Sequence, residues 1–334
     1  MKSVNFKIRL MSIIKNIFSL AANGIGTKNL LFFTGKLVVH SFYHTVSDEY
    51  LSHISPLYRP KIKAEFVKDI DFLQQHFQAI SIKEVYLQQQ KKTILQKNSF
   101  HLSFDDGLRE VHEVILPILY QKGIPATVFV NNDFVDNKNL FFRHKAALIV
   151  ETLNKKEISA TIKKEIEHLL TPKEPLQSQV LNIGYAKREI LDTISALLDI
   201  DFQDYLKNQR PYLTTDMLTE MQTKGFTIGA HSIDHPQFSK ISEEEQIRQI
   251  VESCSYVKTV FNESHSFFSF PFTDENISAS VFNAIDNQID LSFGIKGIRT
   301  SNNGKHIARI DFEKSGNSAK QSVNKALLKF LIKK

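Results

Sequence analysis

Residues 99–130, SFHLSFDDGLREVHEVILPILYQKGIPATVFV, contain two apolar, β-rich segments separated by a helical pattern. The first segment predicts a strand at Ser99–Phe104, and PATVFVN at 125–131 predicts another. Between them Arg109–Gln121 predicts a helix that Pro117 kinks or breaks. Strand, helix and strand in this order are typical of a parallel sheet covered by helices.

The same alternation continues on both sides of this unit. Further strands are predicted in KLVVHSFYHTV at 36–46, at Phe226–Ala230, at Ser266–Phe270, at Asp290–Phe293 and near Ile307–Ile310. Helices are predicted at 64–77, Thr215–Lys224, Ser242–Phe261 and Asn276–Asn287. About seven strands with intervening helices favour an α/β fold with a TIM-like barrel over an open sheet.

Three segments are predicted along the chain. Residues 1–36 form an N-terminal segment, 37–312 form the barrel, and 313–334 form a C-terminal helix. The strand–helix rhythm breaks at about 131–213, where apolar residues recur at helical spacing among many Lys and Glu residues. We interpret that stretch as a helical insertion in a loop of the barrel.

The N-terminal segment predicts an amphipathic helix. Its apolar face is formed by Leu10, Ile13, Ile14, Ile17, Phe18 and Ala21. Packing of this helix against the fold is favoured over peripheral contact with a membrane surface. Because Lys15 interrupts the apolar run, neither a transmembrane span nor a signal peptide is predicted, which favours a cytoplasmic or peripheral membrane location.

Composition excludes several classes of protein. The formal charge is +6, from 42 basic and 36 acidic residues, and no basic stripe accompanies it, so we expect no nucleic-acid partner. The single cysteine, Cys254, forms neither an internal disulfide nor a zinc–thiolate cluster. A hydrophobic content of 42% in 334 residues supports a large core without such cross-links.

Two polar motifs follow predicted strands. Asp105 and Asp106 end the Ser99–Phe104 strand, and His231 and His235 follow the Phe226–Ala230 strand. Taken alone, the first motif is typical of a turn and the second of unrelated surface histidines. Together, at strand ends, two imidazoles and one carboxylate form a suitable ligand set for Zn²⁺ or another divalent ion, while the neighbouring aspartate faces the water.

With SFDDG at 103–107 and HSIDH at 231–235, the chain resembles the polysaccharide deacetylase family, carbohydrate esterase family four. The resemblance implies a deformed (β/α)7-type barrel that hydrolyses an N-acetyl or O-acetyl group on an oligo- or polysaccharide. It also implies that Asp105 is the general base and that Asp106, His231 and His235 bind the metal. Zinc is the favoured ion, with cobalt, nickel and manganese as alternatives.

The third motif departs from the family pattern. Ser269 stands where the family commonly has the arginine that orients the catalytic aspartate, so the positioning of Asp105 is not explained. Pro271 and Phe272 match the pattern and are predicted to bind substrate as one wall of the groove. Arg309, in HIARIDF at 306–312, is also predicted to bind substrate because subsets of the family have Arg-Ile there.

The histidine expected to act as general acid is not found at its usual place. His306 cannot be assigned to the site, and His44 is a further candidate for which a structural role is favoured. Phe141 and Phe142 open the insertion, and helix packing is favoured for them over a place at the edge of the groove.

The predicted function is therefore that of a metal-dependent carbohydrate deacetylase, a hydrolase of non-peptide carbon–nitrogen bonds that acts on N-acetyl amino sugars. Two alternatives remain open. One is a non-catalytic carbohydrate-binding protein on the same fold, which the missing arginine and histidine favour. The other is a hydrolase of a non-sugar amide.

Overall fold

Parallel strands around a nearly closed barrel form the centre of the structure, a computed structural model that describes residues 26–35, 37–170, 174–298, 304–313 and 316–333. The described strands are β1 (Val38–Tyr43), β2 (Gln78–Ala79), β3 (Ser99–Phe104), β4 (Ala126–Val130), β5 (Phe226–Ala230), β6 (Phe267–Ser269), β7 (Leu291–Gly294), β8 (His306–Ala308) and β9 (Ile310–Asp311). Their order is β8-β7-β6-β5-β4-β3-β1-β9, with β2 beside β3. The predicted deformed (β/α)7-type TIM-like barrel is confirmed.

A single C-terminal segment nearly closes this barrel. Strand β8 pairs with β7 through Phe293 and Ile307, whereas β9 pairs with β1 through Ser41 and Ile310. Only Arg309 separates the two short strands. The segment predicted as one strand near 307–310 therefore joins the last strand of the barrel to the first.

Helices surround the barrel and fill the long loop after β4. They are α1 (Thr27–Thr34), α2 (Lys63–His76), α3 (Ile82–Gln89), α4 (Leu116–Gln121), α5 (Phe142–Lys155), α6 (Ala160–Leu169), α7 (Leu176–Leu181), α8 (Ile190–Leu197), α9 (Phe202–Gln209), α10 (Thr215–Thr223), α11 (Glu243–Phe261), α12 (Ala279–Ile285) and α13 (Ala319–Lys333). Helices α5–α9 lie within the stretch predicted as an insertion, and their apolar side chains form a hydrophobic cluster of their own.

The described helices leave out the predicted N-terminal helix and include no membrane span. The amphipathic helix predicted around residues 10–21 lies outside the described residues. Among the described helices, none combines the length and the apolar character needed to cross a membrane.

The strand side chains divide between two apolar layers. On β3, Phe100, Leu102 and Phe104 point outward into the layer shared with the surrounding helices. Phe129 and Phe293, on β4 and β7, belong instead to a cluster inside the barrel. This division follows from the two-residue period of a strand, which sends successive side chains to opposite faces.

The helix predicted at Arg109–Gln121 begins with a π-helical turn over Val111–Ile115 and continues as α4. Leu116 N–H donates to the carbonyl of Val111, five residues earlier. Pro117 has no N–H to donate, so the wider turn accommodates the proline where a regular α-helix would lose a hydrogen bond. The predicted kink is thus present as a change of helix type.

Candidate functional site

The two polar motifs open on the same edge of the barrel. Asp105 and Asp106 follow β3, and His231 directly follows β5. Strand β4 lies between these strands and is parallel to both. Because the carboxyl ends of parallel strands share one edge, side chains more than 100 residues apart in sequence meet there.

Asp106, His231 and His235 form a compact, buried group. Their ligand atoms all lie within 4.8 Å of one another. Oδ1 of Asp106 is 3.3 Å from Nε2 of His231 and 3.1 Å from Nε2 of His235. The structure therefore brings together the three residues that the sequence predicts as metal ligands.

The donor set of this group fits a divalent ion. Nδ1 of His231 donates to the carbonyl of Ser269 at 2.8 Å, which leaves the lone pair of Nε2 facing Asp106. Oδ1 of Asp106 is buried, and no group of the described residues donates a hydrogen bond to it. A buried carboxylate oxygen without a donor, faced by two imidazole nitrogens, matches the nitrogen and oxygen ligands that zinc accepts.

The electrostatics of Asp106 agree with a ligand role. Burial alone would raise the pKa of its carboxyl group, but the imidazoles of His235 and His231 lower that pKa well below the usual value. Asp106 is therefore ionised throughout the neutral range, which is the form in which a carboxylate binds a metal ion.

Several residues of the site have a strained backbone. Non-glycine residues with left-handed φ angles are Asp106 at 70°, Ser232 at 76°, His235 at 60° and Phe272 at 56°. Each such conformation costs on the order of 1–3 kcal/mol and persists only where the surroundings hold it. Asn131 donates to Ser232 Oγ at 3.2 Å and to the carbonyl of His231, and Ser232 Oγ accepts the N–H of His235 at 3.0 Å.

Asp105 is held by an arginine that sequence reasoning assigned to another role. The guanidinium of Arg309 donates to Oδ1 of Asp105 at 2.8 Å and to Oδ2 at 2.7 Å. Arg309 is fully buried, so the prediction that it binds substrate is wrong: its guanidinium is occupied inside the barrel. It supplies the bidentate contact that Ser269 cannot make.

Ser269 and Ser103 complete this buried network. Arg309 donates to Ser269 Oγ at 2.6 Å and to Ser103 Oγ at 3.0 Å, and Ser269 donates to Asp105 at 3.2 Å. The ring of Phe42 lies 4.4 Å from the guanidinium carbon. The sequence offers only a general hint of burial, because Arg309 stands in the apolar stretch of the closing strand; its partner Asp105 is 204 residues away.

Asp105 stays ionised because of its bidentate contact with Arg309. Burial alone would raise the pKa of its carboxyl group, but Arg309, and to a smaller extent His231, hold that pKa below its usual value. The bidentate geometry also fixes the orientation of the carboxylate plane.

His44, at the end of β1, faces the same site. Its Nδ1 contacts the carboxylate of Glu313, which also accepts the N–H of Thr45 at 2.9 Å. Burial alone would lower the pKa of His44, but Glu313, with smaller contributions from Asp106 and Asp105, raises it to about 10. His44 is therefore protonated at neutral pH, and the structure gives the residue a charged partner that sequence reasoning did not find.

Aromatic side chains border the candidate metal ligands. The ring of Phe272 lies 4.6 Å from that of His235 and is 40% exposed, so it forms an accessible wall beside the site. Pro271 is buried in the same turn, and its contact with substrate stays a prediction. Phe141 lies 4.4 Å from the His235 ring but is buried among insertion residues.

His306 belongs to a different part of the barrel. Its Nδ1 is 2.8 Å from Ser292 Oγ and its Nε2 is 3.2 Å from Asp274. These contacts join the turn after β6 to β7 and β8, and they place no group of His306 against Asp105 or the candidate ligands. The structure thus leaves His306 outside the site.

A cavity of about 580 Å³ adjoins the site on the side of the insertion. Its wall includes Asp234, between the two candidate histidine ligands, and Phe142 and Arg188 from the insertion. It does not include Asp105 or any of the three candidate ligands.

Residues 92–288, more than half of the chain, match the family of polysaccharide deacetylases. The chain therefore belongs to the polysaccharide deacetylase family, as its two motifs predict. No match was found among curated protein sequences.

Two solved structures share the fold. The deacetylase PplD of Streptococcus pyogenes, determined in complex with acetate, has a TM-score of 0.56 and 14% identity, over 88% of this chain and 97% of its own. IcaB from Ammonifex degensii has a TM-score of 0.57 and 14% identity, over 88% of this chain and 98% of its own. At this identity the similarity shows the fold alone. Membership of the family supports the deacetylation of sugars as the class of reaction.

Proposed function

We propose that this protein is a metal-dependent hydrolase that removes acetyl groups, in the first place N-acetyl groups of amino sugars, from an oligo- or polysaccharide. The observation that carries the proposal is the arrangement of charged groups at one edge of the barrel. An ionised Asp105 held by Arg309 lies beside the buried group of Asp106, His231 and His235.

Asp106, His231 and His235 would hold the divalent ion. The ion would supply Lewis-acid polarisation of the acetyl carbonyl group. Zinc is favoured because two imidazoles and one carboxylate form a common catalytic zinc site with a position left open; cobalt, nickel and manganese are the alternatives.

Asp105 acts as the general base. Its carboxylate accepts a proton from the water whose oxygen attacks the acetyl carbon, a role that typically accelerates such a step by about 10²–10⁴-fold. Arg309 keeps the carboxylate ionised and fixes its orientation through the bidentate contact.

His44 acts as the general acid. In its protonated form it donates a proton to the leaving nitrogen as the carbon–nitrogen bond breaks, which releases acetate and a free amine. Glu313 keeps His44 protonated and orients its ring through Nδ1, so that Nε2 is the donating atom. This arrangement supplies the acid that is missing from the family's usual position, which weakens the case for a non-catalytic binding protein.

Phe272 provides the accessible apolar surface beside the reacting groups. Its exposed ring can pack against a sugar ring of the polymer while the acetyl group enters the polar site. A polymeric, acetylated substrate therefore fits the open edge of the barrel.

Acetate release from chitin oligomers, peptidoglycan and other acetylated glycans tests the proposal. We expect the wild-type protein to release acetate, a chelator to abolish release, and added zinc to restore it. Asp105→Asn should retain zinc but lose at least about 10²-fold in turnover, whereas the matched surface change Asp71→Asn should retain full activity because Asp71 is exposed.

Each alternative has its own outcome in this assay. Glycan binding without acetate release by the zinc-loaded protein would support the binding protein and overturn the enzyme. Turnover of a simple amide, with none on any acetylated glycan, would overturn the choice of substrate. Full activity of Asp105→Asn would remove Asp105 as the base.

A further inference from the structure

Asp234 lies between the two candidate histidine ligands in the loop 231–235, and both of its carboxylate oxygens are engaged. Nε2 of Gln249, on α11, donates to Oδ1 at 2.8 Å. The hydroxyl of Tyr185 donates to Oδ2 at 2.5 Å. The side chain of Asp234 therefore ties the loop both to a helix of the barrel and to the helical insertion.

Tyr185 is itself fixed by its neighbours in the insertion. It opens a 3₁₀ turn at Tyr185–Lys187, between α7 and α8. The guanidinium carbon of Arg188 lies 3.9 Å from the centre of its ring, and Arg188 also donates to the carbonyl of Tyr185 at 3.0 Å. Phe142 contacts the Tyr185 ring edge-on at 6.0 Å. The hydroxyl therefore reaches Asp234 from a packed position.

Arg188 reinforces the same contact. Its NH2 group lies 4.0 Å from Oδ2 of Asp234, the oxygen that Tyr185 also contacts. Stacking on the Tyr185 ring keeps the positive charge beside this carboxylate. The two insertion residues thus act on a single oxygen of the loop.

The loop requires such support because its backbone is strained on both sides of Asp234. Ser232 and His235 both have left-handed φ angles, which non-glycine residues keep only when contacts hold them. Gln249 contributes from the barrel by accepting the N–H of Ile233 at 2.8 Å. Asn131 holds Ser232 from the end of β4, and Tyr185 adds a contact to Asp234 from the insertion.

We propose that Tyr185 and Arg188 are positioning residues of the metal centre, through which the helical insertion clamps Asp234 and so holds His235 in its ligating orientation. The inference rests on the proposed metal site and deepens it. The insertion thereby contributes to metal affinity although none of its described residues belongs to the candidate ligand group.

The expected loss of metal affinity depends on how directly the clamp contacts the candidate ligands. Removal of a residue that hydrogen-bonds directly to a metal ligand typically weakens metal binding by about 10–100-fold. Tyr185 acts one step further away, through the residue next to His235 in the chain, so we expect an effect at the lower end, about tenfold.

Zinc affinity of the full-length protein, measured by competition with a chromophoric chelator, tests the clamp. We expect Tyr185→Phe to bind zinc about tenfold more weakly and Arg188→Met about threefold more weakly. Tyr120→Phe, the same chemical change at an exposed tyrosine, should leave the affinity unchanged. The absorption spectrum of the cobalt-loaded protein should change in Tyr185→Phe and stay unchanged in Tyr120→Phe.

A double-variant cycle separates a clamp from a general loss of packing. If Tyr185 acts through Asp234, then Tyr185→Phe should change zinc affinity by less than twofold in a protein that already carries Asp234→Ala. An equal, tenfold loss in both backgrounds would overturn the proposed route through Asp234.

The remaining outcomes distinguish the clamp from the metal site. If Tyr185→Phe binds zinc within twofold of the wild-type affinity, the clamp is overturned and the proposed function stays intact. A wild-type protein that binds no zinc, cobalt, nickel or manganese would overturn the metal site and the clamp with it.

Discussion

Replacing Arg309 with methionine removes the charged partner of a buried carboxylate while keeping an unbranched apolar side chain. In the native structure Arg309 is fully buried and contacts Asp105 at 2.8 and 2.7 Å. In the Arg309→Met variant, Asp105, which is 2% exposed, keeps only the hydroxyl of Ser269 as a side-chain donor, at 3.2 Å. An ionised carboxylate would then be enclosed without its bidentate counter-charge.

Breaking a buried ion pair by removing one partner costs about 3–5 kcal/mol of the free energy of unfolding. At ~2 °C per kcal/mol for a chain of this size, the unfolding temperature should fall by about 6–10 °C. The orientation of Asp105 is lost as well, so we also expect acetate release to fall by at least about tenfold.

The pH dependence of this loss has a definite sign. In the wild-type protein burial opposes ionisation of Asp105, but Arg309 holds the pKa of its carboxyl group below the usual value. The pair therefore stabilises the fold above about pH 4, and this stabilisation is lost as the pH falls through the pKa of the folded state. In Arg309→Met the largest lowering contribution is gone, so burial, which raises the pKa, is opposed only by the smaller contributions of His231 and His44. The difference between the two proteins should therefore be largest at neutral pH and should narrow on acidification, because a protonated Asp105 needs no counter-charge.

Thermal unfolding followed by circular dichroism at pH 7.5 and pH 5 measures both effects. Arg59→Met is the matched control, because Arg59 forms an exposed pair with Glu65 at 3.3 Å, and such pairs contribute about 0–1 kcal/mol. An Arg309→Met protein that unfolds within 2 °C of wild type at pH 7.5, or a difference that widens at pH 5, would refute the reasoning.

Two further predictions concern the general acid and the barrel interior. Glu313→Gln removes the charge that contributes most to raising the pKa of His44 to about 10, so the alkaline limb of the kcat/KM profile should move from about pH 10 to lower pH. An unmoved limb would exclude His44 as the acid. Gly229→Ala places a Cβ atom 2.5 Å from the Phe129 ring and should lower the free energy of unfolding, measured by urea titration, by about 1–3 kcal/mol. Gly184→Ala is the control, because a Cβ atom there meets open space. Equal losses of free energy in the two variants would contradict this packing argument.

The barrel and the candidate metal ligands were predictable from local sequence. Alternation of strand and helix patterns is a short-range property, and it predicted the β3–α4–β4 unit and most of the remaining strands. The motifs at 103–107 and 231–235 follow two of those strands directly. Since parallel strands in a barrel present their carboxyl ends at one edge, their convergence followed from the fold class.

Boundaries and local helix types were less accurately predicted. The helix expected at Asn276–Asn287 begins only at Ala279, after its N-cap Ser278, because the preceding residues form a turn. The strand expected at Ser266–Phe270 is shortened to Phe267–Ser269. These differences arise where caps and turns compete with the periodic pattern, which carries no information about them.

The class of fold, the family, and the group of Asp106, His231 and His235 followed from the amino-acid sequence alone, because each depends on a short motif or a local period. The partners of Asp105 and His44 became clear only from the folded chain. Arg309 lies 204 residues from Asp105, and Glu313 lies 269 residues from His44. The closing segment that contains β8 and β9 brings these partners beside the first and third strands. No local pattern encodes a contact across the closure of a barrel, because it depends on the register in which the last strand meets the first.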